Sequence, residues 1–510
     1  MEQTQNRTDI VALEELAEYV RSAKNHGKKV VHCHGVFDLL HIGHIRYFER
    51  AKQLGDLLIV TVTPDRFVDK GPNRPAFNEN LRAEAIASLG TVDKVSINRW
   101  PTAEDTLRLV RPDVYVKGSE YKDLEDISGK IAAEATVVEE IGAELSFTED
   151  LTFSSTNLIN RYLSNLPHEL TQYLEIFRQR YSLAEVLESL NALGKTKVLV
   201  VGDTILDEYQ YCTVMGKSSK DPSLALQYKS RDLFAGGVLA VANHLANFAG
   251  EVQLATILGE ADSQEEFIRS HLNPAVNVHF AYQPEAPTIV KRRLVDGYSF
   301  NKIVEVYFMD DSGLPADRDK QFRSWLSKNL SEFDVVIASD FGHGAISDQT
   351  VRLLEEKAPF LAVNTQANAA NTGYHTVSRY GRADYVCIAE NELRLEQRTK
   401  QLDVHTMIEK VGAQLGCTKF TVTHGRKGCT VWSKKHGLVT VPAFARNVVD
   451  RVGAGDALLS VTSLAAAKDI PIEVLGFIGN VVGALAVEVL GNQKSIDKES
   501  VEKYITSLMK

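Results

Sequence analysis

The chain has 510 residues, 44% apolar and 24% charged, a balance that excludes a disordered or fibrous protein and predicts two or three globular domains. Its 57 lysines and arginines against 67 acidic residues leave a formal charge of −10 with no basic run, which excludes a duplex-binding face and leaves only local phosphate pockets. Five scattered cysteines without a CxxC pair and a polar N-terminus, with no run near the ~18 apolar residues of a membrane span, exclude a disulfide framework, a zinc site and a signal peptide, and predict a cytoplasmic protein that meets neither nucleic acid nor membrane.

In chain order, Ile10, Leu13, Leu16, Ala17 and Val20 fall at helical spacing and predict a leading amphipathic helix within residues 1–28. Apolar runs at 29–33, 57–62 and 114–116 predict buried strands, with helical patterns at 44–54, 78–89 and 103–110 between them. That alternation predicts an α/β fold, a small Rossmann-like domain over 29–165 with ligands at the strand C-termini. The charged stretch 168–193 has no strand signal and predicts one connecting helix, in a linker at 166–195. A second α/β series over 196–510 opens at 197–203, with strands at 334–339, 360–364, 385–388 and 420–423 and a polar, β-rich lid at 209–228.

The first candidate site lies after the first strand, in His34-Gly35-Val36-Phe37-Asp38-Leu39-Leu40-His41-Ile42-Gly43-His44. Gly43 at a helix start allows a phosphate close to the backbone, where the helix terminus supplies a positive field. His41 and His44, three residues apart, share one face of the first turn. Donors aimed at the non-bridging oxygens of an α-phosphate lower the barrier to nucleotidyl transfer without a covalent intermediate. No third residue at metal-ligand spacing accompanies the pair. An isolated HxxH is more often two surface histidines, and here the strand–glycine–helix context reverses those odds. Lys70 and Arg74 on a basic loop, Arg82 on a helix, Lys117-Gly118 after the third strand and Ser155-Thr156 at a helix start add phosphate-binding candidates.

Residues 29–163 resemble the cytidylyltransferase-like superfamily, and within it the transferase half of the bifunctional heptose 7-phosphate kinase/heptose 1-phosphate adenylyltransferases. The shared residues are Gly35-Val36-Phe37-Asp38, the HxGH, Lys70-Gly71 with Arg74-Pro75, Arg82, Pro112-Asp113, Val116-Lys117-Gly118, Tyr121 and Ser155-Thr156-Asn157. The resemblance implies catalytic roles for His41, His44 and Lys70, and nucleotide contacts from Gly35, Phe37, Asp38, Gly43, Arg74, Arg82, Lys117, Gly118, Ser155 and Thr156. It implies transfer of a nucleoside monophosphate from a triphosphate to a sugar 1-phosphate, with Mg²⁺ and release of pyrophosphate. His34 stands where that family carries Asn, and the choice between ATP and CTP stays open.

The second candidate site is Asp450-Arg451-Val452-Gly453-Ala454-Gly455-Asp456 before a helical run. Small residues at a helix N-terminus expose successive N–H groups as an anion hole, and Asp456 is placed to take a proton from an attacking hydroxyl. A glycine turn capped by aspartate is the plainer reading, at even odds for the motif alone. Thr423, Gly425 and Gly428 form a glycine turn suited to a nucleotide, Asp203 and Asp207 follow the opening strand, and Gly236-Gly237 start a helix.

Residues 196–505 resemble the ribokinase-like, PfkB-type sugar kinases. That implies an ATP- and Mg²⁺-dependent kinase with Gly453, Ala454, Gly455, Thr423, Gly425, Gly428 and Asn391 on ATP and the anion hole. It implies Asp203, Asp207, Gly236 and Gly237 on the sugar phosphate, with no metal ligand assigned, and a homodimer formed through the lid. The departures are Ala240 for Asn, Val452 for Thr, and Arg394 for the Glu of an Asn-x-x-Glu motif, with Glu392 or Glu390 as substitutes. The transferase comes first, the reverse of the heptose family's order. The expectation is a bifunctional sugar-activating enzyme for surface glycan synthesis. Two alternatives are a transferase with a non-catalytic kinase-like binding and dimerisation domain, and a CTP-dependent transferase acting on a polyol phosphate. Lys217-Ser218-Ser219-Lys220 beside a HIGH motif resembles class I aminoacyl-tRNA synthetases, but it lies beyond a domain boundary and no basic RNA-binding module accompanies it.

Overall fold

The computed structural model describes residues 9–68, 75–118, 130–148, 167–369, 371–445 and 447–509. Two compact units divide the chain, Met1–Leu166 and Pro167–Met509. No described helix is long and apolar enough to cross a membrane, and the five cysteines are free and buried.

In the first unit β1 (Val30–Gly35), β2 (Leu57–Val62), β3 (Lys94–Ile97), β4 (Val114–Gly118) and β5 (Glu144–Thr148) make one sheet in the order β3-β2-β1-β4-β5. Every neighbouring pair is parallel. A parallel sheet covered on both faces demands apolar side chains on both, so β1 and β2 read as nearly unbroken apolar runs. The leading helix Leu13–Asn25 buries Leu16, Ala17 and Val20 against Val30, Ile59 and Val110. Successive strands step one way from β1 to β3 and the other way from β4 to β5, so the switch point lies between β1 and β4, where open α/β sheets take ligands. The short β3 and β5, with polar Lys94, Ser96, Glu144 and Ser146 among their residues, escaped the sequence pattern.

The second unit begins with two helices where one connecting helix is predicted. Tyr181 is extended after His168–Arg180, and Ser182 starts Leu183–Ala192 with a capping box closed by Glu185, which satisfies the first N–H groups of a new helix and ends the old one. The pair packs on this unit: the Phe177 ring stacks on Phe477 at 4.3 Å, and the Arg178 guanidinium donates to the Leu508 carbonyl.

Beyond them, β6 (Lys197–Lys217) serves two sheets. Its first third pairs in parallel with β8 (Glu251–Gly259) and β12 (Val335–Asp340). The central sheet continues through β13 (Leu361–Thr365), β14 (Tyr385–Ala389), β15 (Lys419–Thr423) and the antiparallel β16 (Cys429–Ser433) and β17 (Gly437–Val441), with β9 (Val276–Gln283) beside β8. The rest of β6 pairs with β7 (Leu224–Gly237) and β10 (Ile289–Asp296), and β10 with β11 (Lys302–Phe308), giving the predicted lid. The Lys217–Lys220 motif sits at the β6–β7 hairpin of this lid.

Candidate active sites

In the first unit, β1 ends at Gly35 and the helix Ile42–Lys52 starts beside it. His41 is the N-cap of that helix. Its Nδ1 accepts the Gly43 N–H at 3.0 Å, which directs the ring proton to Nε2, and burial holds the imidazole below its ordinary pKa. The His41 and His44 rings lie 4.1 Å apart, and Phe37 packs edge-on to His44 at 5.5 Å from a left-handed backbone conformation. Buried Asp38 accepts the Ala76 N–H, so it ties the chain just past the basic loop to the HxGH segment. Lys70 and Arg74 of that loop lie outside the described residues, as do Tyr121, Ser155 and Thr156.

Across the switch point, Lys117 and Gly118 close β4. The Lys117 ammonium meets Glu134 at 2.7 Å, whose carboxylate also accepts the Tyr115 hydroxyl.

Two residues make contacts that the sequence does not show. Arg82, expected on the nucleotide, is almost fully buried, and its guanidinium donates to the carbonyls of Phe77, Val36 and Thr63 and to Asp65. Four of its five donors are occupied, so it braces the loops after β1 and β2. His34, the departure from Asn, faces β2: its Nδ1 lies 2.8 Å from the Thr61 hydroxyl and its Nε2 3.2 Å from that of Thr63. The Thr61 hydroxyl also meets His32 at 2.7 Å.

Burial pushes both His32 and His34 down to about 3. Both stay neutral in the fold but take protons near 6.5 once unfolded, so the unfolded chain binds more protons between those values. Stability is therefore lost as pH falls from about 6.5 towards 3. Urea titrations read by pulsed hydrogen exchange over 30–35 and 57–62 should show the midpoint falling from pH 6 to pH 4, with a shallower slope in His34→Asn.

In the second unit, helix Ala454–Ala467 starts at Gly453, whose φ of +84° and 1.9 Å clearance between a built Cβ and Asn492 admit only glycine. Before Gly455 the space is open, since a Cβ there meets nothing within 4 Å. The first N–H groups of this helix have no acceptor within the helix. Asp456 sits on the first turn, pushed up to about 7 by burial and by the charge of Asp207, with Lys291 opposing and Glu392 adding to the rise. Asp207 fits because residue 236 is glycine: a Cβ there would stand 2.1 Å from its Oδ2. Arg293 of β10 forms an ion pair with Asp207 and a second with Glu305.

Asp203, predicted to hold substrate, also anchors a loop and lines a cavity with Thr204, Gln283 and Asp310. Its two oxygens accept the N–H groups of Phe341, His343 and Ala345. Sequence reasoning missed Asp450 as a hub: it accepts Tyr209 and Lys302 from the lid, at 2.6 and 2.7 Å, and the N–H groups of Arg451, Val452 and Gly491. A DRVGAGD string carries no mark of the lid partners. Missed too were Lys291 and Arg293, which face inward from β10.

The nucleotide candidates Asn391 and Thr423 stand just past and at the ends of adjacent strands β14 and β15, with Gly425 and Gly428 in the following turn at positive φ. Arg394 is engaged by Glu390 at 2.6 Å, and Glu390 also meets His424. Glu392 accepts the N–H groups of Ala367 and Ala389, and burial raises its pKa. Ala240 is buried within the helix Val238–Leu245.

Residues 195–499 match the family model described as pfkB family carbohydrate kinase, and residues 32–161 match the model described as Cytidylyltransferase-like. The chain is similar to the "Bifunctional protein HldE" of Aliarcobacter butzleri, 34% identical over 32% of this chain and 33% of that protein. It is 43% identical to the protein of the same name from Pseudomonas fluorescens over 22% of this chain and 24% of the other. Such matches span a third or less of the relatives' length. Among solved structures, phosphofructokinase-2 from Escherichia coli in complex with substrates and products aligns with 62% of this chain and 100% of its own, at 16% identity and a TM-score of 0.50, a likeness of fold.

Proposed function

The chain belongs to the pfkB family of carbohydrate kinases through residues 195–499, and from that premise we propose a bifunctional sugar-activating enzyme. Its second unit phosphorylates a sugar phosphate of the heptose 7-phosphate kind with ATP, and its first transfers a nucleoside monophosphate from ATP or CTP to a sugar 1-phosphate. The bifunctional relatives and the two family models on one chain support the pairing of activities.

The observation that carries the kinase reading is Asp456 on the first turn of a helix with open space beside Gly455. The acceptor hydroxyl gives its proton to Asp456 as its oxygen attacks the γ-phosphate, and the N–H groups of Gly455 and Asp456 hold the transferring oxygens. Asp207 and Gly236-Gly237 border the acceptor, while Asn391, Thr423, Gly425 and Gly428 border the nucleotide. Arg394 is paired with Glu390, and Glu392 is near enough to add to the rise in the Asp456 pKa. A nucleotide-borne Mg²⁺ would be held near Asp456, where it would neutralise phosphate oxygens.

In the transferase, His41 through Nε2–H and His44 stabilise charge on the α-phosphate, and Lys70, Arg74, Ser155 and Thr156 complete the nucleotide contacts. Lys117 and Gly118 border the site from β4, Asp38 fixes the chain after the basic loop, and Gly35, Phe37 and Gly43 shape the approach. A partner copy is proposed on the outward face of the lid, where Met215, Val304, Val306 and Phe308 are each 40–64% exposed. A nucleotide panel on the intact chain with sugar 1-phosphates tests the transferase: pyrophosphate released with ATP or CTP is expected, and release only with a polyol phosphate and CTP would replace this reading.

A further inference from the structure

β14 and β15 end side by side, with Ala389 opposite Thr423, so the residues just beyond those ends, Glu390 and His424, meet. The His424 imidazole spans from the Glu390 carboxylate, 2.7 Å from Nδ1, to the Thr430 hydroxyl of β16, 2.8 Å from Nε2. A carboxylate only accepts, so Nδ1 carries a proton and donates it to Glu390. The other oxygen of Glu390 accepts Nε and Nη2 of Arg394, at 2.9 and 2.6 Å. Nη1 of Arg394 donates in turn to the carbonyls of Lys400 and Leu402, each at 3.2 Å. The bonds from Arg394 hold the Glu390 carboxyl below its ordinary pKa, which keeps it an acceptor for His424. One chain of charge-assisted hydrogen bonds thus runs from the loop after helix Glu390–Glu396, through the first turn of that helix, to β16.

His424 opens the turn at the end of this chain. Its N–H donates to the Gly428 carbonyl and the Gly428 N–H to the Gly425 carbonyl, at 2.8 and 3.1 Å. The turn is backed at Gly428, where a Cβ would collide with the Val441 carbonyl oxygen of β17, and open at Gly425, where a Cβ would meet nothing within 4 Å. Two glycines give so short a turn little stiffness of its own, and its placement depends on the ties at His424.

We infer that Arg394 is a positioning residue for the nucleotide: through Glu390 it fixes His424, and with it the Gly425–Gly428 turn that borders ATP. This rests on the kinase reading and assigns Arg394 a role within it. A turn held in place before the ligand arrives needs less ordering on binding, so losing Arg394 weakens nucleotide affinity and leaves the chemistry at Asp456 alone. The acceptor side is spared as well, because Asp207 and Gly236 stand on β6 and β7, with β12 and β13 between β6 and β14. The plainer role for Arg394 is to brace the 400–402 loop and nothing more.

The test assays the intact chain with heptose 7-phosphate and ATP as wild type, Arg394→Met, Arg394→Lys, Glu390→Gln and the double variant Arg394→Met/Glu390→Gln. Arg394→Met and Glu390→Gln should each raise KM for ATP by roughly tenfold or more, with kcat and KM for the sugar nearly unchanged, and Arg394→Lys should recover part of the loss. Because Arg394 acts through Glu390, the double variant should be no worse than the worse single one. An unchanged KM for ATP, a loss confined to kcat, or losses that add in the double variant would overturn the assignment. Hydrogen exchange over 424–430 separates it from the kinase reading: ATP should slow exchange there in the wild type, and less so in Arg394→Met. No slowing in the wild type would sink the kinase reading and the assignment with it, whereas equal slowing in both proteins would overturn the assignment alone.

Discussion

Asp456→Asn should reduce kinase turnover by roughly 10²- to 10⁴-fold, the contribution of a positioned general base, while leaving nucleotidyl transfer intact. The amide keeps the shape of the helix start but cannot accept the hydroxyl proton. Because burial and Asp207 push the carboxyl up to about 7, the base form is populated only above that pH. Kinase kcat/KM should therefore rise through about pH 7 and level off above it, with a single ionisation. The residual rate of Asp456→Asn should lack that step. ATP consumption with a sugar phosphate across pH 5.5–9 reads both expectations, and a step that survives in the variant would assign the titration elsewhere.

The second large effect belongs to the other unit. His44→Ala should lower nucleotidyl transfer by ~10²- to 10³-fold, the usual consequence of removing one donor from a developing phosphoryl charge, with kinase turnover unchanged. His44 sits 4.1 Å from His41, ring to ring, and His41 is fixed by the Gly43 N–H. Truncating His44 therefore removes one of two aligned groups without releasing the helix cap. Pyrophosphate release under saturating triphosphate separates a loss in kcat from a loss in KM; a change confined to KM would make His44 a binding group only.

Much of the architecture was legible because parallel strands buried on both faces leave apolar runs in the sequence, as at 57–62 and 197–203. The HxGH and GAGD strings fell at a strand end and a helix start because their glycines and small residues have few other uses. What stayed hidden depended on partners distant in sequence. Nothing in the sequence shows the carbonyls of Val36 and Thr63 around Arg82. Nor does it show the loop after β12 folding onto both oxygens of Asp203. Lys291, Arg292 and Arg293 are consecutive charges, and strand alternation turns two of the three inward. The break at Ser182 was present in the sequence as a Ser-x-x-Glu capping box, a signal that the charged composition around it obscured.

The Asp450 hub links the lid to the anion hole through Tyr209 and Lys302. The same carboxylate thus meets both the lid and the N–H groups that lead into Gly453. The kinase half is in this sense built as one unit of lid and loop, whereas in the transferase half Asp38 and Arg82 brace the loops around β1.

The central claim is that one chain carries two separate phosphoryl chemistries. It is tested most directly by supplying ATP, CTP, heptose 7-phosphate and a sugar 1-phosphate together and weighing the products by mass spectrometry for the wild type, Asp456→Asn and His44→Ala. The account predicts both products from the wild type, only the nucleotide sugar from Asp456→Asn, and only the newly phosphorylated sugar from His44→Ala. Both products persisting in both variants, or both vanishing in either one, would contradict it.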